Sequence, residues 1–262
     1  MMPAPCFGFI NPVKNRLQSE FTAHYTLYTR KRENIMIRKL LFDADGTLWD
    51  FDASAVLAFE KIFARHGWEY SDFVLDNYNR INNRMWESYE RGEMSRDRVL
   101  VERFDELLAL LGIPFKGADF EDEFRVELEQ NPVWMDGAED LLARLRPDHE
   151  IYVVTNGVAS TQHKRIRLSG LDRYVDRFFI SEEIGAQKPQ KAFFDHVLFA
   201  IGPCKKEELL LVGDSLSADI LGANNAGIPA CWFNPAGLPR KGEARPDHEI
   251  RSLSEVMAIL RD

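Results

Sequence analysis

The stretch Lys39-Leu40-Leu41-Phe42-Asp43-Ala44-Asp45-Gly46-Thr47-Leu48 decides how the rest of the chain is read. A short apolar run stops abruptly at an acid, and a second acid and a glycine follow at once. Unbroken runs of this length suit strands covered on both faces of a parallel sheet. Ile151-Tyr152-Val153-Val154 and Leu209-Leu210-Leu211-Val212 repeat the texture farther along. Helical patterns at Ala138 to Leu145, Thr161 to Leu168, Lys191 to Ile201 and Leu216 to Ala226 separate or follow these runs. Alternation of this kind specifies the α/β class, with a doubly wound, three-layer parallel sheet. Asp136 with Glu139, and Ser252 with Glu255, have the spacing of helix-opening capping boxes.

Between the first and second strands lies a long insertion without a convincing strand. Its apolar residues fall at helical spacing: Val56, Phe59, Ile62 and Phe63, then Leu100, Phe104, Leu107, Leu108 and Leu111, then Phe120, Phe124 and Leu128. The expected organisation is a core domain made of residues 36–52 and 134–262, with a helical-bundle cap domain at 53–133 inserted into it. Residues 1–35 read differently, with Pro3, Pro5, Pro12 and the charged run Arg30-Lys31-Arg32-Glu33. Asn11-Pro12 interrupts the apolar stretch that a signal peptide would need. These residues are expected to be a dispensable leader, with the functional polypeptide starting near Met36.

Composition narrows the class of function. The chain has 262 residues, 42 acidic against 33 basic, and a net charge of −9. That balance argues against an extended nucleic-acid partner, which would need a basic face. A small anion remains possible if a local cation receives it. Hydrophobic residues make up 45%, enough for a packed core and too many for wholesale disorder. Cys6, Cys204 and Cys231 form no Cys-x-x-Cys pair, so neither a disulfide framework nor a thiolate zinc site is expected, and a cytoplasmic setting is. No stretch approaches the roughly 18 apolar residues of a membrane span.

Polar residues that can do chemistry follow the strands directly, and in open α/β sheets ligands bind at those carboxyl ends. Asp43 and Asp45 flank a single residue, so a tight turn could aim both at one point. Nearby anions are mutually costly, and such a pair calls for a cation. The second strand ends in Thr155-Asn156-Gly157, which offers a hydroxyl, an amide and a permissive backbone. Lys188-Pro189 stands before a helix that Pro189 could open as its first residue. Gly213-Asp214 places a third carboxylate at a strand end, with Asp219 five residues beyond it. Asp43, Asp45 and Asp214 form an oxygen-rich set for a hard cation, and Mg²⁺ suits a site with few carboxylates.

In this order the four segments resemble the motifs of the haloacid dehalogenase superfamily of aspartate-dependent phosphohydrolases, over nearly all of Met36 to Asp262. The resemblance implies that Asp43 is the nucleophile and Asp45 the general acid and base. It implies that Mg²⁺ is held by Asp43, Asp214 and the backbone carbonyl of Asp45. Thr155, the amide of Asn156, and Lys188 would hold the phosphoryl group, with Asp219 supporting the metal or Lys188. Dehalogenases of the superfamily lack an aspartate at the position of Asp45, so its presence favours phosphate esters over haloacids.

Phe51-Asp52, Tyr78 to Trp86, Ile180 to Pro189 and Cys231-Trp232-Phe233-Asn234 are similar to the noncanonical pyrimidine nucleotidase subfamily. That implies a nucleoside 5′-monophosphate as substrate, chosen by Trp49, Phe51, Asp52 and the cap residues Asn79, Asn82, Asn83, Trp86 and Arg103. On pattern alone Trp86 could equally be cap core and the asparagines solvated. Arg103 could equally make a helix-surface salt bridge. Alternative readings are a phosphoglycolate or sugar-phosphate phosphatase, a phosphomutase, a dehalogenase, or a phosphate-binding module without turnover. The expected partner is a small phosphate monoester, with no nucleic-acid polymer and no membrane, and the protein is expected to be a monomer or homodimer.

Overall fold

Strand β1 (Lys39–Phe42) pairs in parallel with β2 (Glu150–Thr155) on one side and β4 (Leu209–Gly213) on the other. With β3 (Arg177–Ile180), β5 (Ala230–Phe233) and β6 (His248–Ile250) they form a parallel sheet in the order β3-β2-β1-β4-β5-β6. The computed structural model describes residues 36–261, so the expected leader lies outside the described residues.

Alternation along the strands explains the unbroken apolar runs. Leu40, Phe42, Ile151, Val153, Leu210 and Val212 point to one face and enter one apolar cluster. Leu41, Tyr152, Val154, Leu209 and Leu211 point to the other face and enter a second. Both faces are covered, so neither register position can be polar. The chain is an α/β protein with a helix-flanked six-stranded parallel sheet, as the alternation implies.

Four helices fill the insertion: α1 (Phe51–His66), α2 (Asp72–Glu90), α3 (Arg96–Leu111) and α4 (Gly117–Gln130). Asp50 caps the first, its side chain accepting from the Ala53 amide at 2.8 Å. The helices close on a third apolar cluster around Phe59, whose ring lies within 6.4 Å of those of Phe63, Tyr70, Tyr78, Phe104, Phe120 and Phe124. Each fully buried Phe contributes about 1.5–3 kcal/mol by transfer from water. The bundle therefore has a core of its own, separate from the two flanking the sheet.

After it come α5 (Ala138–Leu145), α6 (Ala159–Ser169), the short α7 (Ser181–Ile184), α8 (Lys191–Ala200), α9 (Leu221–Ala226) and α10 (Val256–Ile259). A wider π-type turn, Leu216–Ile220, leads into α9. Two local expectations need correction. Gly137, at φ +73°, precedes α5 in place of an Asp136 capping box, and Glu139 instead accepts from the Tyr174 hydroxyl at 2.9 Å. Helix α8 starts at Lys191 rather than Pro189, because the backbone of Gln190 is still extended. The Ser252 and Glu255 capping box is present.

Candidate active site

At the carboxyl edge of the three central strands, Lys188 draws the acids together. Its Nζ lies 2.5 Å from Asp43 Oδ1 and 2.7 Å from Asp219 Oδ1, and donates to the Val154 carbonyl at 2.9 Å. Asp43 follows β1 directly, its amide bonded to the Val212 carbonyl at 2.9 Å, which fixes its place against β4. The loop carrying Lys188 is pinned by Asn156, whose side chain accepts from the Lys188 amide at 2.9 Å and donates to the Lys188 carbonyl at 3.0 Å. These two bonds hold the segment as loop up to the start of α8. Burial alone would lower the Lys188 pKa, but Asp219 and Asp43 together carry it above its ordinary value.

Asp43, Asp214 and Asp219 each bring a carboxylate oxygen within 4.8 Å of the others. Gly46 makes the approach possible. Its φ of +88° belongs to the left-handed region, and a Cβ there would stand 2.5 Å from Asp214 Oδ2. Thr47 then donates its hydroxyl to Asp214 Oδ1 at 2.9 Å. Asp219, fully buried, also accepts from the Ser215 amide at 3.1 Å. Burial pushes Asp43 well above the usual carboxylate range against the opposing pull of Lys188, and Asp214 is pushed up to about 7 by burial and then by Asp219. Two buried carboxylates and a half-buried third beside one lysine form an oxygen-rich donor set, which suits a hard divalent cation.

The raised Asp214 carboxyl has a consequence for stability. The folded chain keeps a proton there that the unfolded chain, with an ordinary value of 3.8, has already released. The metal-free protein should therefore lose stability as pH rises from about 4 to about 7. Thermal melts of the wild type and Asp214→Asn check this, and the variant should show the shallower decline. Equal slopes would remove Asp214 as the cause.

Asp45 does not join the cluster. Its carboxylate turns to α6, where Gln162 Nε2 donates to Oδ2 at 2.8 Å and Arg165 Nη1 donates to Oδ1. Thr155, buried at the end of β2, accepts at Oγ1 from Gln162 at 2.9 Å and from the Gly157 amide at 3.0 Å. With both lone pairs engaged, its own proton remains to donate to an anionic oxygen. Sequence reasoning did not single out Thr47, Gln162 or Arg165. Gln162 and Arg165 stand three apart on the helix after the Thr155-Asn156-Gly157 turn, a spacing that places both on one face.

The residues proposed for substrate choice scatter. Trp49 is 1% exposed, packed in the sheet-side cluster beneath the Arg165 guanidinium, so it lines no cleft. Arg103 is neither a surface residue nor free to reach the acids. It is buried inside the bundle, 2.6 Å from Glu121, donating also to Asn82 Oδ1 at 2.7 Å and to the Tyr78 hydroxyl at 3.3 Å. Asn82 is thus consumed by that internal network, and Asn83 points to solvent. Phe51, Asp52, Asn79 and Trp86 are half-buried or exposed at the bundle surface, with Phe51 and Trp86 packed partly against its core.

Several contacts join bundle and sheet edge. Ser217 donates to Glu90 at 2.5 Å, Gln187 donates to the Tyr89 carbonyl at 2.8 Å, Arg96 pairs with Glu182 at 2.8 Å, and Glu129 receives both Thr161 and Lys164. The first two bring the end of α2 close to the acidic cluster.

Comparison with known proteins agrees with this geometry. The family model for haloacid dehalogenase-like hydrolases matches residues 37–227. The HAD-hydrolase YfnB of Bacillus subtilis is 41% identical, over 85% of this chain and 95% of its own. Its magnesium-bound crystal structure, described as revealing interdomain movement, superposes with a TM-score of 0.82 at 40% identity, covering 87% of this chain and 100% of that one. Pyrimidine 5′-nucleotidase PynA of Streptococcus pneumoniae is 35% identical over 84% of this chain and 94% of its own, and pyrimidine 5′-nucleotidase YjjG of Escherichia coli is 29% identical over 84% and 96%. The chain belongs to the haloacid dehalogenase-like hydrolase family and is an enzyme of the phosphoric monoester hydrolase kind.

Proposed function

We propose that this protein is a Mg²⁺-dependent phosphatase that hydrolyses pyrimidine nucleoside 5′-monophosphates through an aspartyl-phosphate on Asp43. The observation that carries the reading is the convergence of Asp43, Asp214 and Asp219, with Lys188 bonded to the first and the last of them. The nucleotide part rests on the two pyrimidine nucleotidases, of which 94% and 96% align with this chain.

Asp43 attacks phosphorus in line, splitting one difficult displacement into two easier ones. Asp45 gives a proton to the leaving oxygen as its bond to phosphorus breaks, then takes one from the water that attacks the intermediate. Lys188 and the Thr155 hydroxyl hold the transferring oxygens and stabilise their charge, while Asn156 fixes Lys188 and Asp219 keeps it charged. Asp43, Asp214 and the backbone carbonyl of Asp45 would hold Mg²⁺, which when bound neutralises charge between nucleophile and phosphate. Residues 53–133 act as a cap that excludes water and selects the substrate, over a core of residues 36–52 and 134–262. The substrate arrives as a free small molecule, and the enzyme works as a monomer or homodimer in the cytoplasm. Among the described residues no helix is long and apolar enough to cross a membrane.

Phosphate release from a panel of UMP, dUMP, dTMP, phosphoglycolate and hexose phosphates tests the reading, with Mg²⁺ or with chelator. Pyrimidine nucleotides should lead the panel, and chelator should stop release. A preference of orders of magnitude for phosphoglycolate or a hexose phosphate would overturn the nucleotide assignment, and undiminished activity with chelator would overturn the metal.

A further inference from the structure

Asp45 makes no bond to Lys188, and α6 supplies the reason. Gln162 grips Oδ2 and Arg165 grips Oδ1. Both donors are 1% exposed, while the Asp45 side chain is 27% exposed. The grip is built from several sides. Gln162 Nε2 also donates to Thr155 Oγ1 at 2.9 Å, and Gln162 Oε1 accepts from Arg165 Nη1 at 3.3 Å. The Arg165 guanidinium lies over the Trp49 ring, 4.3 Å from its centroid, and Trp49 forms a backbone bridge with Asp45. Gly157 leaves room for the amide, since a Cβ there would stand 2.5 Å from Gln162 Nε2.

Fold stability does not account for this arrangement. Arg165 Nε and Nη2 and Trp49 Nε1 are buried without a hydrogen-bond partner. An apolar side chain of similar volume over Trp49 would avoid that desolvation cost. What the arginine secures is the orientation of one carboxylate. Each carboxylate oxygen has two lone-pair directions, so one donor on each leaves the outward pair free.

We propose that Arg165, together with Gln162, is a positioning residue for Asp45. The two hold the carboxylate from its protein side and aim its free lone pairs at the leaving oxygen and at the attacking water. Because Gln162 also touches Thr155, the proton-transfer group and the phosphate-holding hydroxyl are set relative to each other through one side chain. The proposal rests on the reading of Asp45 as acid and base given above. In the first step the Asp45 proton passes to the leaving oxygen as that oxygen parts from phosphorus and Asp43 bonds to it. In the second, Asp45 takes a proton from water as the water oxygen bonds to phosphorus and Asp43 is released. A misaimed Asp45 should hurt only where a proton must move.

The test compares a nucleoside 5′-monophosphate with p-nitrophenyl phosphate in the full chain with Mg²⁺, using the wild type, Arg165→Met, Arg165→Lys and Gln162→Leu. Nitrophenolate leaves without a proton, so its first step survives a misaimed acid while the second step does not. Arg165→Met should lose about 10²- to 10³-fold in steady-state turnover of the nucleotide, within the roughly 10²- to 10⁴-fold worth of a placed acid or base. With p-nitrophenyl phosphate it should show a stoichiometric burst of nitrophenolate followed by slow turnover. The inhibition constant of inorganic phosphate should stay within about threefold, because the phosphate-holding groups are untouched. Arg165→Lys, which keeps the charge and most of the stem, should recover part of the loss, and Gln162→Leu should show a weaker form of the same burst and slow turnover, with phosphate inhibition also weakened because Thr155 loses its partner. Those two variants carry the test if Arg165→Met does not fold. Equal loss on both substrates without a burst, or no loss, would overturn the positioning role while the wild type remains active. A wild type inert toward every phosphate ester would instead overturn the phosphatase reading, and this proposal with it.

Discussion

Asp43→Asn is expected to abolish phosphate release while leaving the fold in place. The amide keeps the size of the carboxylate and can still accept from Lys188, which lies 2.5 Å from Asp43 Oδ1. It lacks the nucleophilic oxygen pair, so no covalent intermediate forms. Removal of an enzyme nucleophile costs on the order of 10⁴- to 10⁶-fold in turnover. Stability should move little, or upward in metal-free buffer, because burial already disfavours the Asp43 charge and the neighbouring Asp219 and Asp214 add to the penalty. Stabilisation by Mg²⁺ in a thermal melt should shrink in the variant. Full turnover would reassign the nucleophile, and a collapsed melt would make the residue structural.

Lys188→Ala should damage both activity and stability. The ammonium is the one cation bonded to Asp43 and Asp219 among the described residues, and it is 2% exposed. Its removal leaves those buried carboxylates uncompensated, a loss of about 3–5 kcal/mol when one partner of a buried pair is deleted. Turnover should fall by about 10²- to 10³-fold, as when one donor to developing charge is lost. The two effects can be separated by salt form: Mg²⁺ should restore much of the melting temperature and little of the turnover. A variant as stable as the wild type without metal would show that the cluster is protonated rather than balanced by Lys188.

Much of the fold could be read from the sequence because its signals are local. A strand buried on both faces admits no polar residue inside, so Leu40 to Phe42, Ile151 to Val154 and Leu209 to Val212 mark themselves. The insertion shows the helical period for the same kind of reason, since Phe59, Phe104, Phe120 and Phe124 must share one core. Helix ends were less legible: Asp136 and Glu139 have the right spacing, yet Glu139 finds a better partner in Tyr174, far along the chain.

The bundle residues show where pattern stops informing. Asn82 and Arg103 look suited to a ligand, but a guanidinium and an amide serve equally to satisfy each other. Here they do so with Glu121, 2.6 Å from Arg103. Trp49 follows the first acidic motif, and that nearness says nothing of which way the indole turns. It turns into the core under Arg165.

By itself, then, the sequence determined the class of fold, the strand ends where chemistry can occur and the acids that follow them, while Lys188 was marked only by the family resemblance. These depend on periodicity and on short runs, whose meaning survives without knowing what packs against them. Only the tertiary structure decided that Asp219 bonds Lys188 directly, that Asp45 is held apart by Gln162 and Arg165, and that Arg103 is spent inside the bundle. Each of those facts is a pairing between groups distant in the chain. Charge and hydrogen-bond donors name possible partners, but the fold's geometry selects which ones meet.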